Sequence, residues 1–263
     1  VTIKGTKDQP VVLEGKISLT RAGYWQGIVV LNSKHPSHWS HVQIKNTKGI
    51  ENNDWIVNAG VTFYKSDVYL KHVTFSGNRS EDALNIVRST FDLKEVDIKN
   101  AVSDGFDADF SNGAVTGGTF KNLGHAGGGD GIDVSGTRVI IADTQFFNIA
   151  DKAISVGEES HMESTGLSIQ KVGVGIVSKD GSHVTVQNSQ VIEAQLAGLM
   201  AYTKKTVYYP PATLHAKDVT FQHSTPNALV QNGNEIMLSG AMVEPSNFDV
   251  KDLYKTSMKS GLK

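Results

Sequence analysis

The stretch Ser103–Gly113, "SDGFDADFSNG", carries Asp104, Asp107 and Asp109 within six residues. A second acidic phrase, "GGDGIDVSG", follows with Asp130 and Asp133. Like charges this close destabilise each other unless they share protons, which raises their pKa values, or hold a cation. Asp82, Asp104 and Asp130 also have a plainer reading, because Asp favours turns and caps local backbone there. Asp107, Asp109 and Asp133 alternate with apolar residues as strand positions do. Asp is disfavoured in strands, and stacked Asp doubly so. A functional or cation-binding role is therefore expected of these three. The basic residues nearest in the pattern are Arg88, Lys152 and Lys179, and the polar companions are Asn85, Tyr64, His125 and Ser135. Lys152 reads as a base or substrate clamp, or as a salt-bridge partner of Asp130. His125, in the insertion "LGHAGGGDG", reads as part of a loop over the acids. The His35/His38/His41 cluster is a weaker metal candidate.

The elements that must position these residues appear as a repeat. A small residue followed by an alternating apolar strand recurs at Gly27, Gly60, Ala83, Gly105, Gly131, Ala153, Gly175, Gly198 and Ala228, at spacings of 33, 23, 22, 26, 22, 22, 23 and 30. A second strand signal keeps the same period and ends at Asn46, Gly77, Asn100, Asn122 and Asn148. Asn at equivalent turns predicts a ladder of amides hydrogen-bonded along a stack. A third short strand lies between them ("FDLKEV", "GAVTG", "RVII"). Three short strands per unit near 22 residues, with no sustained 3.6-residue period, predict a right-handed parallel β-helix of about nine coils. A β-propeller needs about 40 residues per blade. The prediction is one all-β domain over residues 1–263, with an N-terminal coil or cap at 1–26 and a C-terminal strand or cap at 245–263 over the last rung.

Alternation then assigns faces. Phe106, Ala108 and Phe110 are read as inward, so Asp107 and Asp109 point out. One outward column runs Thr62, Asn85, Asp107, Asp133, Ser155, Val177. The next runs Tyr64, Val87, Asp109, Ser135, Gly157, Lys179, and a turn column runs Asp82, Asp104, Asp130, Lys152. Neighbouring coils are about 4.8 Å apart, so the acids form a patch across roughly three coils.

The formal net charge of −2 provides no global field for nucleic acid or an anionic membrane. There is no cysteine, which excludes disulfides and thiolate metal sites. No apolar run is long enough to predict a membrane-spanning helix. The chain opens on "VTIKGT" as though inside a strand, and reads as a mature protein or excised domain. Walker, GxGxxG, GxSxG, HExxH and EF-hand patterns are absent from the sequence.

The coils resemble the right-handed parallel β-helix superfamily of pectate lyases, polygalacturonases and alginate C5-epimerases. The block from Ser80 to Ser160 more specifically resembles an uncharacterised β-helix region of bacterial multidomain surface proteins. "SDGFD" and "GDGID" are similar to aspartate-bearing strands of polygalacturonases, whose Gly-His-Gly and Arg-x-Lys elements are missing here. "GFDAD" is similar to the epimerase "GFDPH", with Ala108 and Asp109 in place of Pro and His. The resemblance implies an extracellular or cell-surface (or periplasmic) monomeric domain of a larger protein, acting on or binding an acidic, uronate polysaccharide. On that expectation Asp107, Asp109 and Asp133 hold Ca²⁺ and Lys152 or Arg88 abstracts the C5 proton, giving elimination or epimerisation. Asn85, Tyr64, His125 and Lys179 contact the substrate, with Tyr208 and Tyr209 as a stacking wall. The alternatives are an inverting hydrolase using Asp107 and Asp109, about 6.6 Å apart at Cα, and a non-catalytic glycan-binding or structural domain.

Overall fold

The computed structural model describes residues 1–15, 23–52, 54–125, 127–209 and 211–256. It is a right-handed parallel β-helix of about 8 turns, 63% strand and 3% helix. Three parallel ladders run its length. The first passes through Ile28, Val61, Leu84, Phe106, Ile132, Ile154, Ile176, Leu199 and Ala228. The second passes through Ser37, Val68, Phe91, Gly113, Val139, Met162, Val184, Leu214 and Ile236. The third passes through Val42, Val73, Val96 and onward through Ile98, Phe120, Phe146, Ile169, Val191 and Phe221.

Inward residues of all three ladders fill one continuous core, in which Leu84, Phe106, Phe120, Ile132 and Ile154 are fully buried. Each coil alone leaves its apolar face exposed; stacking removes that face from water, at about 25 cal/mol per Å². Strand-to-strand turns are tight enough to require left-handed backbone. Asn100, Asn122 and Asn148 take φ of 57°, 56° and 58°, a conformation that Asn tolerates better than most residues. Their amides form the expected ladder: Asn122 Nδ2 donates to Asn100 Oδ1 at 3.1 Å, and Asn148 Nδ2 to Asn122 Oδ1 at 2.9 Å.

Three expectations are corrected. Phe110 is not inward: the chain turns at its φ of 49°, and its ring is 54% exposed. In the last coil Leu199 pairs with Ala228, so the counterpart of Gly198 is Asn227, one residue before the anchor assigned from the sequence. The C-terminal segment forms a helix, α1 (Val250–Thr256), rather than a terminal strand. Helix α1 lies against the outer side of the first ladder instead of over the last rung. There the outward residues have become Val177 and Met200, and Val250, Leu253 and Tyr254 cover them. The last rung, Glu235–Leu238, instead folds back on Ala241–Met242. At the other end, Thr2–Lys4 and Val11–Leu13 add to Ser37–Lys45 in parallel. Residues 16–22 and 257–263 of the expected caps lie outside the described residues. No helix among the described residues is long and apolar enough to cross a membrane.

Candidate acid-lined site

The strand Asp104–Asp109 sits between Asp82–Val87 and Ile132–Ser135, and its register sets the site. Asp107 is flanked by Asn85 and Asp133, and Asp109 by Val87 and Ser135. Phe106 and Ala108 are buried beneath, so Asp107, Asp109 and Asp133 share the outer face, each half-buried. Asn85 Nδ2 donates to Asp107 Oδ2 at 3.3 Å. Lys179 reaches back two coils along this face, its Nζ 2.8 Å from Ser155 Oγ and 3.5 Å from Asp133 Oδ1. A side chain at Gly157 would place its Cβ 2.5 Å from Lys179 Cε. Gly157 is thus the slot through which the lysine stem passes.

The turn column behaves partly as capping chemistry. Asp104 Oδ1 accepts the Asp130 N–H at 2.6 Å, and Asp130 Oδ1 accepts the Lys152 N–H at 3.0 Å. Lys152 Nζ then pairs with Asp130 Oδ1 at 3.0 Å and with Asp151 Oδ2 at 2.6 Å, all but sealed from solvent.

These surroundings move the proton affinities. Burial, then Asp104 and Glu81, push Asp82 well above the usual carboxylate range. Burial, then Asp82, Asp109 and Asp133, do the same to Asp107. Asp104 is pushed up to about 8 by burial and Asp130, and Asp109 is raised by burial and Asp133. Burial raises Asp151 to about 6 despite Lys152. Burial opposes the charge on both lysines. The attraction of Asp130 and Asp151 for Lys152, and of Asp133 for Lys179, outweighs it, so both amines hold their protons more tightly than an ordinary lysine. A general base needs a neutral amine, and Lys152 does not fit that role. It is the counter-charge of a buried ion pair.

The other sequence candidates are distributed around this centre. Arg88 stands exposed in the turn after its strand, its guanidinium 5.3 Å over the Phe110 ring. Tyr64 is half-buried two coils before Asp109 in the same column, with Lys65 Nζ 5.4 Å from its ring. His125 does not reach the acids: it lies on the asparagine ladder, Nε2 3.5 Å from Asn148 Nδ2. The glycines of its insertion, Gly127–Gly129, border the acids instead. Glu158 pairs with Lys205 and accepts from Tyr208 Oη at 3.4 Å, which holds the Lys204–Tyr209 loop beside Asp109. Tyr209 on that loop is 87% exposed. His38 stacks on Tyr69 and His41 on His72, so these two are engaged with separate rings rather than a common metal.

Among the described residues, no three His, Cys, Asp or Glu side chains converge as a metal cage. Asp133 already faces Lys179, and Asp107 faces the Asn85 amide. The acid set as arranged does not fit Ca²⁺. Two residues of this centre escaped the sequence reading. Asp151 was legible as the neighbour of Lys152 in "DKAISV". Tyr254, which lines the same cavity as Asp104 and Asp130, comes from a segment about a hundred residues away and has no local signal.

This architecture, a right-handed parallel β-helix, is shared with solved structures of polysaccharide-acting enzymes. The alginate lyase of Paenibacillus sp. str. FPU-7 superimposes with a TM-score of 0.50 at 14% identity, over 89% of each chain. A pectate lyase from Paenibacillus sp. 0602 gives 0.42 at 8% identity, over 85% of this chain and 65% of that one. The catalytic domain of a GH87 α-1,3-glucanase gives 0.36 at 11% identity, over 89% and 63%. No protein-family model and no curated protein matches the sequence. Identities this low establish the fold and transfer no site residue.

Proposed function

We propose that the protein is a carbohydrate-active β-helix that binds a polysaccharide along the acid-lined face and cleaves it by acid–base hydrolysis. The observation that carries this reading is the contrast between two registered neighbours. Burial and the surrounding acids raise the proton affinity of Asp107, while Asp133, one coil on, is ion-paired with Lys179. Carboxyl groups whose environments are pushed apart in this way serve as acid and base. Asp107 would give its proton to the glycosidic oxygen as the bond breaks. Asp133 would take a proton from the water attacking the anomeric carbon, with Lys179 Nζ 3.5 Å away as its counter-charge. Asn85 orients Asp107 through the 3.3 Å hydrogen bond. A protonated Asp107 also donates to, rather than repels, a uronate carboxylate, so an acidic polysaccharide belongs to the same proposal. So does a location outside the cell or at its surface, where such polymers are met.

The test is incubation with a panel of neutral and uronate polysaccharides, with Ca²⁺ or with EDTA, read by reducing ends and by ultraviolet absorbance of unsaturated products. Reducing ends without absorbing product, abolished in Asp107→Asn and Asp133→Asn, are expected. Calcium-dependent unsaturated product would replace hydrolysis by elimination on a uronate. Binding without cleavage would make the domain a glycan-binding module.

A further inference from the structure

The turn after the first strand of each coil forms a rim along one side of the acid-lined face. Its left-handed positions stack as a column of Asn32, Lys65, Arg88, Phe110, Gly136 and Glu158, with φ between 47° and 58°. Backbone hydrogen bonds fix the register. The Lys65 and Arg88 N–H groups donate to the carbonyls of Val87 and Asp109 at 2.9 Å, and that of Phe110 to Ser135 at 2.8 Å. Phe110 therefore stands level with Asp107, and Gly136 level with Asp133.

Two features of this rim are not required by the fold. Lys65 and Arg88 carry charges that meet no carboxylate within salt-bridge distance among the described residues. Phe110 is a bulky apolar residue at positive φ, a conformation such residues rarely take. With the Arg88 guanidinium 5.3 Å from its ring centroid, 54% of Phe110 is still open to water. A side chain at Gly136 would put its Cβ 2.7 Å from Phe110 Cδ1, so the glycine leaves the room in which the ring lies.

Beyond Gly136 the rim passes into the Lys204–Tyr209 loop. Fully buried Asp180 accepts the N–H groups of Lys204 and Lys205 at 2.6 and 2.7 Å, and Glu158 holds Lys205 and Tyr208. These contacts fix the loop and leave Val207 and Tyr209 79% and 87% exposed. Binding residues on a loop held by a rigid scaffold have this form. The Tyr209 backbone lies against Gly181, three coils on from Phe110, ~14 Å along the stack. The rim thus presents cations before the acid pair, an open ring beside it and another beyond it. Acids alone repel a polyanion, whereas cations interleaved with exposed rings suit a chain of uronate sugars, each with a carboxylate and an apolar ring face.

We infer that this rim is the edge that reads the substrate. Lys65 and Arg88 pair with carboxylates of a uronate chain lying along the stack, and Phe110 and Tyr209 take the apolar faces of its sugars beside Asp107 and beyond Asp133. The inference rests on the carbohydrate reading above and adds the residues that select a uronate over a neutral polymer.

The experiment is calorimetric titration with galacturonate, mannuronate and neutral glucan hexasaccharides in EDTA, at low and high salt. Asp107→Asn serves as the parent protein beside the wild type, so that the ligand stays intact. At least one uronate is expected to bind about tenfold or more tighter than the glucan. Replacing both cations, Lys65→Gln with Arg88→Gln, should remove that preference and flatten its salt dependence, leaving glucan binding unchanged. Phe110→Asn, which suits the left-handed turn, and Tyr209→Ala should each weaken the uronate severalfold, with thermal melts confirming that every variant folds. A glucan preference, or a uronate affinity indifferent to the paired cation replacement, overturns the rim and leaves the carbohydrate reading standing. Affinity indifferent to Phe110→Asn and Tyr209→Ala overturns the stacking. If no glycan is bound or cleaved, the carbohydrate reading itself fails and the rim falls with it.

Discussion

Two polar ladders flank the first strand of each coil and perform the same backbone task with opposite electrostatics. On the far side, the N–H groups of Ser66, Ser89, Ser111, Thr137 and Ser160 donate to the hydroxyls of Ser89, Ser111, Thr137, Ser160 and Ser182 at 2.8, 3.2, 3.0, 3.0 and 3.1 Å. The hydroxyls of Ser89, Ser111 and Thr137 in turn each donate to a nearby carbonyl. Every member is neutral and satisfied, so the ladder repeats without strain. On the near side, Asp104 and Asp130 accept N–H groups from the next coil in a similar way. A hydroxyl would do that task without the buried charge and the repulsion from Asp130 that push Asp104 up to about 8. The acids are thus more than backbone caps. The difference separates a ladder that holds the coils together from one that gathers protons and charge beside a cavity.

Three measurements break or sharpen that contrast. The largest effect is expected from Lys152→Met, which leaves Asp130 and Asp151 buried without their counter-charge. A loss of about 3–5 kcal/mol in urea-unfolding free energy is expected, and a loss under about 1 kcal/mol would show that the pair is solvated. Next comes Ser111→Ala, which orphans the buried Ser89 N–H. It should destabilise by about 1–3 kcal/mol, equally at about pH 5 and about pH 9, because nothing in the hydroxyl ladder titrates there.

The third measurement concerns pH. Acids whose folded pKa is raised bind protons in the native state that the unfolded chain has released. For Asp104, stability is therefore greatest at low pH and falls as pH rises from the ordinary carboxylate value near 4 to about 8. Asp151 follows the same sign up to about 6. Lys152 and Lys179 lose their contribution only above the ordinary lysine range, outside this window. Asp104→Asn should flatten part of the slope in melting curves recorded across that range. A melting temperature that rises with pH between about 5 and about 8 would remove the protonated cluster on which Asp107 as acid depends.

Much of this was legible before the structure. Period and alternation located the coils, the amide ladder and the outward register of Asp107 with Asp133, because a stack of equal coils converts sequence spacing directly into spatial adjacency. The same logic failed where local geometry breaks the alternation. Phe110 leaves the strand at a left-handed turn, and the last coil is one residue out of step at Asn227. The hydroxyl ladder was present in the repeated strand-ending serines of "VVLNS", "TFYKS", "NIVRS" and "DADFS", but a serine after a strand reads as an ordinary turn residue until its partner one coil away is known.

The sequence alone determined the β-helix, the acid patch and its neighbouring coils, since these follow from residue order repeated at a fixed period. Only the tertiary structure decided which charges are paired and which distant segments border the site. The reach of Lys179 across Gly157 to Asp133, the burial of Lys152 between two carboxylates, and the seating of Tyr254 over the cavity depend on side-chain paths and on contacts from a segment far along the chain. Periodicity carries no record of these, because it fixes the direction in which a side chain leaves the backbone and not the partner it meets.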